Sequence, residues 1–272
     1  MTNGLSKGSG WKPDPRDFRD KKIKDLLKGV ATFGDQANWE EHLPKVKDQD
    51  WTGSCVGQSG SGAITTSASI LGYDWDVSAL FCYFIARFLH GDHYKDGGSG
   101  LRYLFKAVQF YGICPEAAWA FDLWAKNQDG RRKYPLFIDF LKNKVNKDPD
   151  WNAYRKAADQ KWLYGYYRID STGDTRIAEM KQALYEKGII CFGMDVGDKF
   201  DAYSGGILDD PGPRKGGHAM FLYGYYRNEF WNGQNSWGTG WGEKGRFRFS
   251  QRMAHRIRDI WVIKVAPKYS GT

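Results

Sequence analysis

The chain reads as an α+β protein whose helices come first and whose strands come later. In the first half, residues 77–89 carry apolar side chains around most of a helical circumference, and Leu101, Leu104, Ala107, Val108 and Tyr111 recur at steps of three and four. The second half alternates as strands do, over 189–195, 218–226, 229–232, 246–250 and 260–265. Helices and strands segregated along the chain favour α+β over an alternating parallel fold. With 272 residues, 41% hydrophobic and 16% aromatic, there is apolar surface for one large domain or two small ones, which excludes a disordered chain.

Taken in order, residues 1–34 mix Gly, Pro, Lys and Asp with little periodicity and read as an N-terminal arm, either packed across the body or a frayed tail held by one or two anchoring aromatics. From Ser54 the pattern turns helical. Gly57, Gly60 and Gly62 weaken that helix by propensity, so tertiary contacts must hold it. Ser54 is the candidate N-cap, which places Cys55 at the positive end of the helix. A glycine-rich stretch, Lys95-Asp96-Gly97-Gly98-Ser99-Gly100, separates the helices at 77–89 and 101–111. Residues 129–147 read as an exposed insertion, followed by a helix around 151–162. A second body starts near Leu163, with one helix at 175–187 bounded by Asp174 and Gly188. The division is an arm at 1–34, a mainly helical part at 35–162 and a mainly β part at 163–272.

No stretch approaches the ~18 unbroken apolar residues of a membrane span, and the first thirty residues hold no apolar run of signal-peptide type. A cytoplasmic setting, bacterial or in an infected cell, is the expectation. Cys82, Cys114 and Cys191 sit in apolar surroundings and read as reduced, buried small residues. The formal charge of +8 and the basic C-terminal region (Arg246, Arg248, Arg252, Arg256, Arg258, Lys264, Lys268) leave an acidic partner or nucleic acid open, with a solvated basic face the plainer account. His90 and His93 have no third ligand at matching spacing and read as solvated loop residues, so no metal and no cofactor is expected.

Three phrases carry chemistry. Gln49-Asp50-Trp51-Thr52-Gly53-Ser54-Cys55 offers a thiol, Gly217-His218-Ala219-Met220 an imidazole, and Asn235-Ser236-Trp237-Gly238-Thr239-Gly240-Trp241-Gly242 an amide. A cysteine becomes a nucleophile when an imidazole takes its proton and a third polar group holds the ring's other nitrogen. The order and content of these phrases resemble the papain-like cysteine proteases, of bacterial or bacteriophage type. In that family a glutamine stands six positions before the nucleophile, a Gly-Ser-Cys triplet ends the loop, the histidine opens a strand and an Asn-Ser-Trp-Gly segment follows.

The resemblance implies a helical lobe and an antiparallel, barrel-like β lobe with a substrate cleft between them. It implies Cys55, His218, Asn235 and Gln49 as catalytic residues, acting on peptide or protein through a thioester. Gly97, Gly98, Gly217 and Trp237 would contact substrate, and Trp237 would shield the His218–Asn235 hydrogen bond from water. The thiol pKa would be lowered by His218 and the helix end. An amidase or transpeptidase using the same thiol, or a particle-associated binding protein retaining the fold, are the alternatives. The chain departs from the family at Val56, Gly57 and Gln58 after the nucleophile, at Asp50 in place of a glycine, and at Thr52, where secreted members place a disulfide cysteine.

Overall fold

A computed structural model describes residues 9–27, 33–160 and 163–265. The parts of the expected arm at 1–8 and 28–32, the end of the helix expected at 151–162, and Lys268 lie outside them. The helices are α1 (Cys55–Ile70), α2 (Ala79–His90), α3 (Leu101–Tyr111), α4 (Phe137–Phe140), α5 (Trp151–Asp159), α6 (Gly173–Tyr185), α7 (Asp198–Asp201) and α8 (Gln251–Ala254). The strands are β1 (Gln36–Asn38), β2 (Leu163–Ile169), β3 (Ile189–Val196), β4 (Ile207–Leu208), β5 (Gly216–Tyr226), β6 (Phe230–Gln234), β7 (Arg246–Ser250) and β8 (Arg258–Val265). Periodicity did not reveal β1, β2 or β4: two are only two or three residues long, and β2 mixes tyrosines with Arg168.

Helix α1 forms despite its three glycines because each faces a close neighbour. A methyl group on Gly57 would lie 2.4 Å from the Ala79 carbonyl oxygen, one on Gly60 2.1 Å from Leu104, and one on Gly62 2.5 Å from Phe221. The missing side chains let α2, α3 and β5 close in on α1, which is buried from Cys55 to Ala68. Helix α2 starts where the Ser78 hydroxyl accepts from the Phe81 N–H at 3.0 Å and stops at Gly91, whose φ of 81° a side chain would resist.

The strands join in the order β2-β8-β3-β5-β6-β7-β4, with β1 added on β5. Every pairing is antiparallel except β4 with β7. Strands β2 and β4 end this path without pairing with each other, so the sheet is open and not the barrel-like closure the family resemblance implied. Its two faces feed different cores: before the β5 bulge at Leu222–Gly224, Ala219 and Phe221 join α1, α2 and α3, while Met220 and Leu222 join α6 and the outer strands, and on β3 Ile189 and Cys191 alternate in the same way with Ile190 and Phe192. That period of two explains why β3 reads as an unbroken apolar run. Trp11 belongs to the first core, and Ile23 and Leu27 to the second, so residues 9–27 are tied to both.

Candidate active site

Cys55 is the first residue of α1 and is fully buried. Ser54 occupies the N-cap position, but its hydroxyl pairs with Thr52 Oγ1 at 2.7 Å instead of capping the helix. The first-turn N–H groups, which no preceding turn of helix can satisfy, are therefore directed at whatever lies before Cys55. Gln49 clamps this loop from behind. Its Nε2 donates to the Thr52 carbonyl at 2.8 Å, its Oε1 accepts from the Ser236 hydroxyl at 2.5 Å, and its backbone N–H donates to the Ser236 carbonyl at 2.9 Å. Asp50 takes a left-handed φ of 52°, which accounts for the glycine the family places there.

His218 and Asn235 are 17 positions apart and meet because the β5–β6 hairpin pairs Phe221 with Gln234. Histidine Nε2 lies 2.7 Å from Asn235 Oδ1, and the same oxygen accepts the Ser236 N–H at 2.7 Å. Because that backbone group can only donate, the asparagine atom between them is the carbonyl oxygen, and Nε2 carries the hydrogen. In the neutral ring this tautomer makes Nδ1 the basic nitrogen. Trp237 covers the ring with centroids 4.8 Å apart, and Phe200 and Trp241 back it.

Burial pushes the Cys55 thiol up to about 11, with backbone hydrogen bonds from Ala219, Gly10 and Val56 opposing it and Asp96 adding to it. This corrects the expected lowering: desolvation of the thiolate outweighs the stabilising donors. Ala219 follows His218 on β5, so the sulfur faces that strand. Burial also raises Cys114 and Cys191, each to about 12, and Cys82 beyond that. All four cysteines are unpaired and buried.

The cause of the burial includes the arm. The N–H groups of Gly10 and Trp11 both donate to the Gly217 carbonyl at 3.1 Å, Ser99 N–H donates to Gly10 O at 2.9 Å, and Lys12 N–H to Ser99 O at 2.9 Å. A side chain on Gly98, whose φ is 76°, would meet the Gly10 carbonyl oxygen at 1.9 Å. Gly98 and Gly217 thus face residues of the arm, Gly97 looks toward Asp92 and Lys12, and Trp237 lies over His218. Beyond Lys12 the arm is anchored by charge. Arg102 Nε and Nη2 grip both Asp20 oxygens at 2.8 and 2.6 Å, and Arg168 bridges Asp20 at 3.0 Å and Asp259 at 2.8 Å. Asp14 Oδ2 accepts from the Arg102 N–H and Trp261 Nε1, while the Asp14 N–H donates to Asp259.

Sequence reading missed two supporting residues. Asp96 accepts the Gly53 N–H at 3.0 and 3.1 Å and the Tyr83 hydroxyl at 2.6 Å, which docks the glycine loop beside Cys55. A lone carboxylate directly before Gly97-Gly98 was the available signal. Arg87, fully buried in α2, donates to the carbonyls of His93, Lys95 and Val145 and to Asn146 Oδ1. Its apolar neighbours hid it. His93 is not a solvated loop residue: both its ring nitrogens are buried, and the ring packs at a tilt with its centroid 3.7 Å from that of Tyr94 and 4.8 Å from that of Phe88. Among the described residues no cluster suited to a metal occurs, and no helix is long and apolar enough to cross a membrane.

The fold thus sets a buried cysteine at a helix N-terminus against a sheet strand that carries a histidine bonded to an asparagine. The profile of the papain family cysteine proteases matches residues 33–261. The chain is 28% identical to an uncharacterized peptidase C1-like protein of Acanthamoeba polyphaga mimivirus, across 97% of this chain and 88% of that one. It is also 28% identical to a cathepsin L-like protein of Caenorhabditis elegans, across 87% and 66%. Xylellain, a cysteine protease from Xylella fastidiosa, superposes with a TM-score of 0.77 at 23% identity, over 97% of this chain and 98% of its own, a likeness of fold. The chain belongs to the papain family of cysteine proteases.

Proposed function

We propose that this peptidase cleaves peptide bonds through Cys55, His218 and Asn235, with residues 9–12 of its own arm seated in the cleft until displaced. The observation that carries the catalytic assignment is the His218 Nε2–Asn235 Oδ1 contact of 2.7 Å, locked by the Ser236 N–H, on the strand whose next residue touches the Cys55 sulfur. In this scheme Nδ1 of His218 takes the Cys55 proton as the sulfur adds to the scissile carbonyl. The oxyanion is met by the Cys55 N–H and the Gln49 amide, a type of donor whose loss typically costs ~3 to 4 kcal/mol of transition-state stabilisation. The imidazolium returns its proton to the leaving amine as the C–N bond breaks, leaving a thioester. Water, deprotonated by the same ring, hydrolyses it and restores the thiol. Asn235 orients the ring and moves no proton.

The basic C-terminal side supports a solvated, ion-paired face over a nucleic-acid surface. Arg246, Arg248, Arg252, Arg256 and Arg258 pair with Glu40, Glu243, Asp209, Asp210 and Asp195 respectively. The test of the catalytic assignment is mass-resolved labelling with a peptide-epoxide thiol trap after the arm is loosened by Trp11→Ala. A single adduct on Cys55, lost in Cys55→Ala and strongly reduced in His218→Ala, is expected. Labelling of Cys114 or Cys191 in its place would refute it.

A further inference from the structure

A small cavity of about 20 Å³ is lined by Gln58 in the first turn of α1, Phe221 of β5, Gln234 at the end of β6 and Asn235 beside it. Gln58, Gln234 and Asn235 are each only 4% exposed. Gln58 Oε1, Gln234 Oε1 and Asn235 Nδ2 are buried with no hydrogen-bond partner among the described residues. Which amide atom each residue leaves unpaired follows from a count of hydrogens, since a hydroxyl has only one to donate. Thr52 donates its own to the Gln49 carbonyl at 2.7 Å, so at 2.7 Å from Ser54 Oγ it accepts. Ser54, its hydrogen committed to Thr52, accepts from Gln58 Nε2 at 3.3 Å, which leaves Gln58 Oε1 unpaired. Gln234 Nε2 donates to the Pro44 carbonyl at 3.4 Å, leaving its Oε1, and Asn235 Oδ1 is held by His218 and the Ser236 N–H, leaving Nδ2. Two of the chain's departures from the family, Thr52 and Gln58, thus belong to one hydrogen-bonded run that starts at Gln49 and ends at this cavity.

Resting on the catalytic reading above, we infer that this cavity holds a single water joining Gln58 and Gln234 to Asn235, and that the two glutamines are positioning residues for the asparagine that orients His218. The unpaired atoms are two acceptors and one donor, the complement of a water that donates twice and accepts once. A cation would face the Asn235 N–H and an anion the two carbonyl oxygens. A buried water typically makes about three hydrogen bonds and needs ~10 to 15 Å³, so the cavity has room for one. Left unmade, each of these buried groups would carry its full desolvation cost. The Ser236 N–H fixes one end of the Asn235 amide, and the water fixes the other. It also ties the first turn of the nucleophile helix to the strand end that carries the asparagine. Were the amide to turn over, its NH₂ would face His218 Nε2 and favour the ring hydrogen on Nδ1. The nitrogen assigned to take the Cys55 proton would then already hold one. Gln58 and Gln234 touch no reacting atom and act through Asn235.

The test uses the full-length chain carrying Trp11→Ala, fluorogenic peptide amides, and Gln58→Met and Gln234→Met, which keep the volume of each side chain while removing its acceptor. Each variant should lower kcat by roughly five- to thirtyfold with KM changed less than about twofold. Because both act through one water, the double variant should lie within about twofold of the weaker single one. Nitrogen-15 NMR of the neutral His218 ring should show the hydrogen on Nε2 in the parent and a mixture of tautomers in both variants. Unchanged kcat and tautomer in the two variants, while Asn235→Ala still lowers kcat, overturns the water link and leaves the peptidase standing. Losses that multiply in the double variant, or a fall in kcat with the tautomer unmoved, also overturn it, since independent packing defects would give those results. Should the variants fail to fold, magnetisation transfer from a long-lived water to the Asn235 side-chain amide is measured in the Trp11→Ala parent, and its absence overturns the inference. An Asn235→Ala variant with undiminished kcat strikes the catalytic reading itself and this role with it, a result distinct from the others.

Discussion

Replacing Trp11 with alanine should open the cleft by a calculable amount. Truncating a buried tryptophan costs ~3 to 5 kcal/mol, and the lower end applies because water can reach the vacated pocket once the arm lifts. The indole contacts β3, β5 and β8, so nearly all of that loss falls on docking of the arm and little on the body. At 1.4 kcal/mol per tenfold, the ratio of open to closed molecules rises by roughly a hundredfold. Opening has a second effect. With the thiol pushed up to about 11 by burial, only on the order of one molecule in ten thousand carries a thiolate at pH 7. Exposing the sulfur removes the largest cause of that rise. The assay is the pseudo-first-order rate of alkylation of each cysteine at pH 7, resolved by peptide mass mapping. Cys55 should accelerate by about a hundredfold or more, while Cys114 and Cys191, raised to about 12, act as references and stay slow. A rise below threefold at Cys55, or a parallel rise at all sites, would refute arm-controlled access.

Three further outcomes test other parts of the structure. Burial, then the neighbouring Asp259 carboxylate, raises Asp14 to about 6 in the docked arm against an ordinary value of 3.8; Arg102, Arg168, Asp20 and Trp261 are the other polar groups of that cluster. The docked state holds the extra proton between about pH 4 and 6, so docking is firmest below that window and weakens as pH rises through about 6. Comparing Cys55 labelling of wild type and Asp14→Asn from pH 4 to 7.5, the ratio of wild type to variant should climb between about pH 4 and 6 and level off above; a ratio flat throughout contradicts the latch. In the Trp11→Ala background, Asn235→Ala should lower kcat by roughly 10- to 1000-fold yet leave measurable turnover, whereas His218→Ala should abolish it; equal, complete losses would contradict an orienting role. Arg87→Met strands buried carbonyls on the 93–95 and 145 segments and should cost ~3 to 5 kcal/mol, read as a drop in Tm of about 6 °C or more. An unchanged Tm would show that another group carries those carbonyls.

What the amino-acid sequence by itself determined was the family, with its class of peptidase, and the longer local elements. Cys55, His218, Asn235 and Gln49 each stand in a phrase of their own, and the periodicity of 101–111 coincides with α3 residue for residue. Those signals are local: a reactive group needs particular neighbours in the chain, and an amphipathic helix needs a fixed spacing. The tertiary structure decided the rest. It closed the 17-residue gap between His218 and Asn235 through a hairpin register, left the sheet open, and turned the glycines of α1 from a weakness into contact points. It also raised the Cys55 thiol against the sequence expectation, drew Asp96 and Trp11 to the loops around Cys55, and set Arg87 beneath the 93–95 segment. Desolvation and close packing depend on what distant segments bring to a point in space, and no residue's immediate neighbours encode that.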